Sequence, residues 1–119
     1  MKRRPRIFDD KHLAFIRTLP CLITGENTSV EAAHIRYADP RIGKFNPGVG
    51  MKPDDFFTVP LSGEMHRRQH AVGNERKFWA QHNIDPVIYA LMLYAVSGDY
   101  ERGCLIVNSA MPANVLCAG

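Results

Sequence analysis

Cysteine is scarce in this 119-residue chain, and its three cysteines, Cys21, Cys104 and Cys117, are far apart. An odd number at wide spacings is not typical of a disulfide framework, and these residues alone do not make a zinc site. Long hydrophobic runs are also lacking, since none approaches the roughly 20 residues that a membrane-spanning helix needs. The sequence therefore predicts a protein without structural disulfides and without a membrane partner.

The basic N-terminus is not followed by the apolar segment of a secretory signal, so we expect a cytoplasmic protein. Internal repeats and low-complexity segments are absent too. Hydrophobic residues make up 45% of the chain, which is enough for one core. We predict a single domain over 1–119, with a basic tail at 1–8 and a loose tail at 111–119. The net charge of +3 permits an anionic partner without establishing one.

Signals for helices and strands alternate in the first half of the chain. Asp9 or Asp10 can cap a first helix, and Pro20 should end it. Two β-prone runs, 29–36 and 56–61, can pair as a hairpin. The segment 37–55 between them is dense in glycine and proline, which indicates a long loop of functional interest.

The second half of the chain predicts helices. Ser62 is a good N-cap for a helix that reaches His70, and a break at 73–74 precedes helix at 75–82. Asp85 and Pro86 should begin a helix over 87–97, which is nearly all apolar and is expected to be buried. A last helix is predicted over 99–110, although its β-branched residues leave a strand open.

Three histidines are candidates for chemistry. His66 and His70 are four residues apart and share one helix face, where two imidazoles can hold one divalent cation. His34 lies in the first β-prone run, on the face shared with Val30 and Ala32. A histidine pair on a helix is more often plain surface, and His34 alone could be a satisfied strand residue. We treat His12 and His82 as surface residues.

The order of these features resembles the HNH endonucleases, also called His-Me finger or ββα-metal nucleases, and among them the small phage and prophage recombination-type proteins. The matching stretches cover roughly 12–96 and are LPCLITG, VEAAHIRYAD, GKFNPGVGMKPDD, TVPLSGEMHRRQH and NERKFW. The resemblance implies an α+β fold in which a long-looped β-hairpin packs on a histidine-bearing helix, with flanking helices at both ends. It implies metal-dependent hydrolysis of DNA phosphodiester bonds, linked to recombination or replication.

The resemblance also implies roles for particular residues. His34 falls at the position of the general base, and neutral imidazole, whose ordinary pKa is about 6.5, can accept a proton from water. His66 and His70 would complete the catalytic set and bind one Mg²⁺, Mn²⁺ or Zn²⁺. The family's metal ligand before the base is replaced by Ala33, and Asp54 or Asp55 could substitute for it. We expect the three imidazoles to converge on one metal.

Two further expectations concern a structural zinc, which the resemblance raises, and the basic residues of the chain. Relatives often hold a structural zinc at positions occupied here by Cys21, Thr24, Ser62 and Met65, which cannot supply four sulfur or nitrogen ligands. We therefore expect no structural zinc, and expect the last three to form hydrogen bonds and pack. Contacts with DNA phosphates suit the basic residues of this region, although they could equally be a solvated face: Arg36, Lys44, Lys52, Arg67 and Arg68.

The departures from the family pattern keep a second function open. A chain that retained the scaffold and lost turnover would be a catalytically inactive DNA-binding module. A third, weaker alternative is an interaction protein that uses the apolar C-terminal helices.

Overall fold

Two antiparallel strands and five α-helices make up the regular structure in the computed structural model, which describes residues 6–42 and 54–110. The elements are α1 (Asp10–Thr18), β1 (Val30–His34), a 3-10 helix (Pro40–Ile42), β2 (Thr58–Ser62), α2 (Gly63–Val72), α3 (Glu75–Gln81), α4 (Pro86–Ala95) and α5 (Tyr100–Ser109). The α+β class is thus confirmed. The predictions for Lys44, Lys52 and the tail 111–119 concern residues outside the described ranges. In the described ranges no helix is both long and apolar enough to cross a bilayer.

The predicted hairpin is confirmed, with each strand slightly shorter than its β-prone run. β1 and β2 pair antiparallel, with Val30 opposite Ser62 and His34 opposite Thr58. The Ile35 amide donates to the Phe57 carbonyl at 2.9 Å, which continues the pairing one step beyond His34. His34 and Thr58 are therefore held side by side, although they are 24 positions apart in the sequence.

A side-chain cap begins each of the five α-helices of the described residues, as the sequence predicts for several of them. Asp9 accepts a hydrogen bond from the His12 amide at the start of α1, and Ser62 accepts one from the Met65 amide at the start of α2. Asp85 caps α4, in which Pro86 occupies the first position. Such caps satisfy amides that have no partner inside the helix. The region 99–110 is helical, so the strand alternative is wrong.

The core lies where α1 and α4 cover the hairpin. Ile16, Leu19, Val59 and Leu61 are fully buried there, and Trp79 packs into the same cluster from α3. β2 is buried along its whole length, and the hydroxyls of its polar end residues, Thr58 and Ser62, both form hydrogen bonds. The hairpin is thus part of the core, and the packing of the core fixes the positions of the residues at its two ends.

Two expectations about burial are wrong. α4 is not buried all round, because Ile88, Met92 and Tyr94 remain 38–47% exposed and only its opposite side meets the core. His12 is fully buried rather than at the surface, and its ring packs edge-on against Tyr94. Its Nδ1 lies 2.7 Å from the Ser97 hydroxyl, a contact made across 85 residues that no local pattern reveals.

Candidate functional site

His34 stands at the end of β1 beside a buried carboxylate. Its Nε2 lies 2.9 Å from Oδ1 of Asp55, three residues before β2 begins. The Thr58 hydroxyl donates to the Asp55 carbonyl at 2.8 Å, which fixes the turn that leads into β2. The hairpin therefore brings His34 and Asp55 together across 21 positions of sequence.

The Asp55 carboxylate is enclosed by hydrogen-bond donors. Arg6 Nη2 donates to Oδ1 at 2.6 Å, the Asp9 amide donates to Oδ2 at 2.8 Å, and the side chain is 1% exposed. Burial, the largest single influence, raises the pKa of Asp55, but the bonds from His34, the Asp9 amide and Arg6 together outweigh it. The net pKa lies below the ordinary value, so Asp55 is ionised at neutral pH.

The ionised state of Asp55 determines the tautomer of His34. A carboxylate only accepts hydrogen bonds, so the short contact requires that Nε2 of His34 carry the proton. In the neutral ring the lone pair is then on Nδ1. The Nη2 atom of Arg6 also lies 3.4 Å from Nε2, which puts a guanidinium beside the pair. A histidine oriented by a carboxylate in this way has the form of a general base.

The segment 6–9 holds this arrangement in place from the N-terminal side. The Ile7 amide donates to Oδ1 of Asp54 at 2.6 Å, and the Asp55 amide donates back to the Ile7 carbonyl at 3.0 Å. Arg6 is thus a partner of Asp55 and not simply part of the basic tail that the sequence predicts. No local signal could have found this role, because its contact with Asp55 spans 49 positions.

The helix pair is a second, separate arrangement. The rings of His66 and His70 lie one helical turn apart in α2, with centroids 4.9 Å apart. Oε1 of Glu31 lies 2.7 Å from Nδ1 of His66. A Cβ at Gly63 would come within 3.0 Å of Oε2 of Glu31, so the glycine allows this close approach. Glu31 is not among the residues predicted from the sequence, although it stands only three residues before His34.

The two arrangements occupy different places on β1. Glu31 and His34 are three positions apart, about 10 Å along a strand, and an odd separation places them on opposite faces. Within 6–42 and 54–110, no three His, Cys, Asp or Glu side chains are grouped to hold a metal ion. The expected convergence of His34, His66 and His70 on one metal is therefore not found there.

The positions next to these sites take structural roles. Ala33 is 1% exposed and packs in the core opposite Val59, so it points away from His34. Met65 is buried, Ser62 caps α2, and the Thr24 hydroxyl accepts from the Glu26 amide at 3.3 Å. The expectation that these three pack and form hydrogen bonds is confirmed, and the absence of a structural zinc stays a prediction.

Exposed arginines lie near both arrangements. Arg67 and Arg68 are exposed on α2, where Arg68 pairs with Glu64 at 3.0 Å. Arg36 is exposed just after β1, and its backbone amide is bonded to Glu75.

Asp55 is the residue expected as a further metal ligand. Its carboxylate oxygens accept hydrogen bonds from Arg6, His34 and the Asp9 amide. Its role as a ligand stays a prediction.

These features define an α+β domain that carries a carboxylate-oriented histidine at one end of a hairpin and a histidine pair on the following helix. The chain belongs to DUF968, a family of proteins of unknown function, whose family model matches residues 2–96. No curated protein and no solved structure matches the chain. The matched range contains both histidine arrangements and every element from α1 to α4.

Proposed function

We propose that the protein is a metal-dependent endonuclease of the HNH type that hydrolyses DNA phosphodiester bonds. The observation that carries the proposal is the contact of His34 with the buried, ionised Asp55. A carboxylate in this position holds the ring in one tautomer and stabilises the imidazolium that forms when the ring takes a proton. The resemblance in sequence adds the substrate class and the setting, which is phage or prophage recombination or replication.

In the proposed reaction, Nδ1 of His34 removes a proton from a water molecule as its oxygen attacks the phosphorus atom. A new P–O bond forms, the P–O bond to the leaving sugar oxygen breaks, and the leaving oxygen takes a proton from solvent. Arg6 lies beside the histidine and can balance negative charge on the phosphate. A positioned general base of this kind contributes about 10²–10⁴ to the rate.

The histidine pair of α2 is the proposed place for the divalent cation. Glu31 engages Nδ1 of His66, which leaves Nε2 for a metal, and such a carboxylate partner is typical of metal-binding histidines. Two protein ligands leave the other positions to water and phosphate oxygens. A cation held there would supply Lewis-acid stabilisation of phosphate charge. Imidazole ligands favour Mn²⁺ or Zn²⁺ over Mg²⁺.

The test is cleavage of plasmid and branched DNA by the full chain with Mg²⁺, Mn²⁺, Co²⁺ or Zn²⁺. We expect metal-dependent cleavage that falls by about 10²–10⁴ in His34→Ala, the range for a lost general base. His66→Ala should weaken both cleavage and metal binding, whereas His34→Ala should leave metal binding largely intact. His82→Ala is the matched control and should cleave as the wild type does.

The alternative is a DNA-binding module without turnover, and one observation favours it. His66 of the proposed metal pair contacts Glu31, which lies on the face of β1 opposite to that of His34, the proposed base. If the wild type cleaves no DNA with any of the four metals but still binds it, the nuclease proposal fails and the binding module takes its place.

A further inference from the structure

A cavity of about 400 Å³ lies between the 3-10 helix, α3 and the start of α4. Its lining combines apolar groups, including Trp79, Ile84 and Pro86, with the charged side chains of two arginines and two aspartates. Both the volume and the mixture are typical of sites for small ligands, which are about 300–1,000 Å³ and mostly apolar with a few fixed polar groups.

The charged groups of the cavity are held in a network. Nη2 of Arg41 lies 2.6 Å from Oδ2 of Asp39 and 2.8 Å from Oδ2 of Asp85. The hydrogen bonds with Arg41, the largest influence, lower the pKa of Asp39, so this carboxylate is ionised. Arg76 donates to the Ala38 carbonyl at 2.6 Å. The walls therefore present fixed donors and fixed acceptors together.

This balance of charge selects among ligands. Two aspartates offset the two arginines, so an anion such as a free phosphate meets repulsion as well as attraction. A neutral ligand that carries both donors and acceptors on its edge can pair with both kinds of group. Nucleobases have such edges, and arginine with carboxylate or amide groups is the usual way in which proteins read them.

Flat groups in the cavity also suit a planar ligand. The guanidinium carbon of Arg76 lies 4.5 Å from the centre of the Tyr37 ring, which is within the range of a cation–π contact. Unpaired bases stack on aromatic rings and on arginine planes. Trp79 adds an apolar wall, and its indole N–H has no hydrogen-bond partner within the described ranges.

One residue of the cavity lining is near His34 in the sequence. Tyr37 follows His34 by three residues, so their backbones are at most about 11 Å apart. We propose that this cavity binds an unpaired nucleobase of a DNA strand whose phosphate lies at His34. This inference rests on the proposed nuclease function, and it extends the substrate to DNA that contains a single-stranded, mismatched or extruded nucleotide.

The test separates the base from the phosphate. Two probes are compared without metal, so that no cleavage occurs: a short chain of abasic deoxyribose phosphates, and the same chain with one fluorescent 2-aminopurine at its centre. We expect the base to tighten binding about 5- to 150-fold, the range for one stacked base, and to have its fluorescence quenched.

Two variants locate the effect. Ala80 is exposed on α3 and lines the cavity, so Ala80→Phe should fill it and reduce the ratio of the two affinities to about one. Ala14→Phe is the matched control, because Ala14 is exposed on α1 and does not line the cavity, and it should keep the ratio. If Ala80→Phe fails to fold, Arg76→Ala replaces it, with Arg102→Ala as its control.

The outcomes distinguish this inference from the function on which it rests. Equal binding of the two probes, or a base effect that survives Ala80→Phe, overturns the cavity assignment even if the wild type cleaves DNA. Conversely, a base effect that Ala80→Phe removes supports the assignment even if no metal restores cleavage, and it then belongs to a binding module.

Discussion

Replacing Asp55 by asparagine tests how strongly the buried carboxylate holds the site. Asparagine has the same shape but only one oxygen, while Asp55 accepts from Arg6, the Asp9 amide and His34. At least one of these donors must then face an NH₂ group. Breaking a buried charge pair by removing one partner typically costs 3–5 kcal/mol. Since asparagine keeps one acceptor, we expect a loss on the order of 3 kcal/mol in the free energy of unfolding.

The stabilisation of the fold by the Asp55 carboxylate depends on pH. The pKa of Asp55 is lower in the folded protein than in the unfolded chain. The carboxylate therefore stabilises the fold fully above the ordinary pKa of about 3.9, and this stabilisation is lost as the pH falls through the pKa of the folded protein. The difference in the free energy of unfolding between wild type and Asp55→Asn should therefore be largest at pH 7 and should shrink below about pH 4.

Urea denaturation at pH 7 and pH 3 measures this difference. Trp79, the only tryptophan, is buried in the core and reports unfolding by fluorescence. Glu64→Gln is the control, because it removes an exposed ion pair with Arg68 and should change stability little. If Asp55→Asn is as stable as the wild type at pH 7, or loses equal stability at both pH values, the assigned network is wrong.

Two further changes test the packing of α1. Gly103→Ala should lower the free energy of unfolding by about 1–3 kcal/mol, because the new Cβ would meet Leu19 at 2.8 Å and Phe15 at 2.9 Å; an unchanged thermal midpoint would show that α5 does not pack there. Burial lowers the pKa of His12, so as the pH falls the imidazole is protonated in the unfolded chain before it is protonated in the folded protein. The free energy of unfolding should therefore decrease as the pH falls below about 6.5. Denaturation at pH 7.5 and 5 should show a smaller acid loss in His12→Gln, and an equal loss in both proteins would contradict the assignment.

The sequence predicts the parts of the fold that depend on neighbouring residues. The caps at Asp9, Ser62 and Asp85 act on amides two or three positions away, so local chemistry was enough to find them. The hairpin was also predictable, because its two β-prone runs are separated by a segment rich in glycine and proline. Alternation within β1 correctly predicted that His34 shares a face of the strand with Ala32 and not with Ala33.

The sequence did not predict which residues would meet across long separations. Arg6 contacts Asp55 across 49 positions and His12 contacts Ser97 across 85, and neither pairing leaves a periodic signal. The expectation that His34 converges with His66 requires the His34 face of β1 to meet α2. Alternation fixes which residues share a face but not which face meets the helix, and Glu31, on the other face, contacts His66.

The attachment of the N-terminal segment to Asp54 and Asp55 has a practical consequence for anyone who expresses this protein. A shortened chain that starts at α1 would retain the hairpin but lose the bonds from Arg6, Ile7 and Asp9 to the two aspartates. Such a truncation would release Asp55 from two of its three donors and leave His34 less firmly oriented. An affinity tag fused close to Arg6 carries the same risk, so a tag at the other terminus is the safer choice for activity measurements.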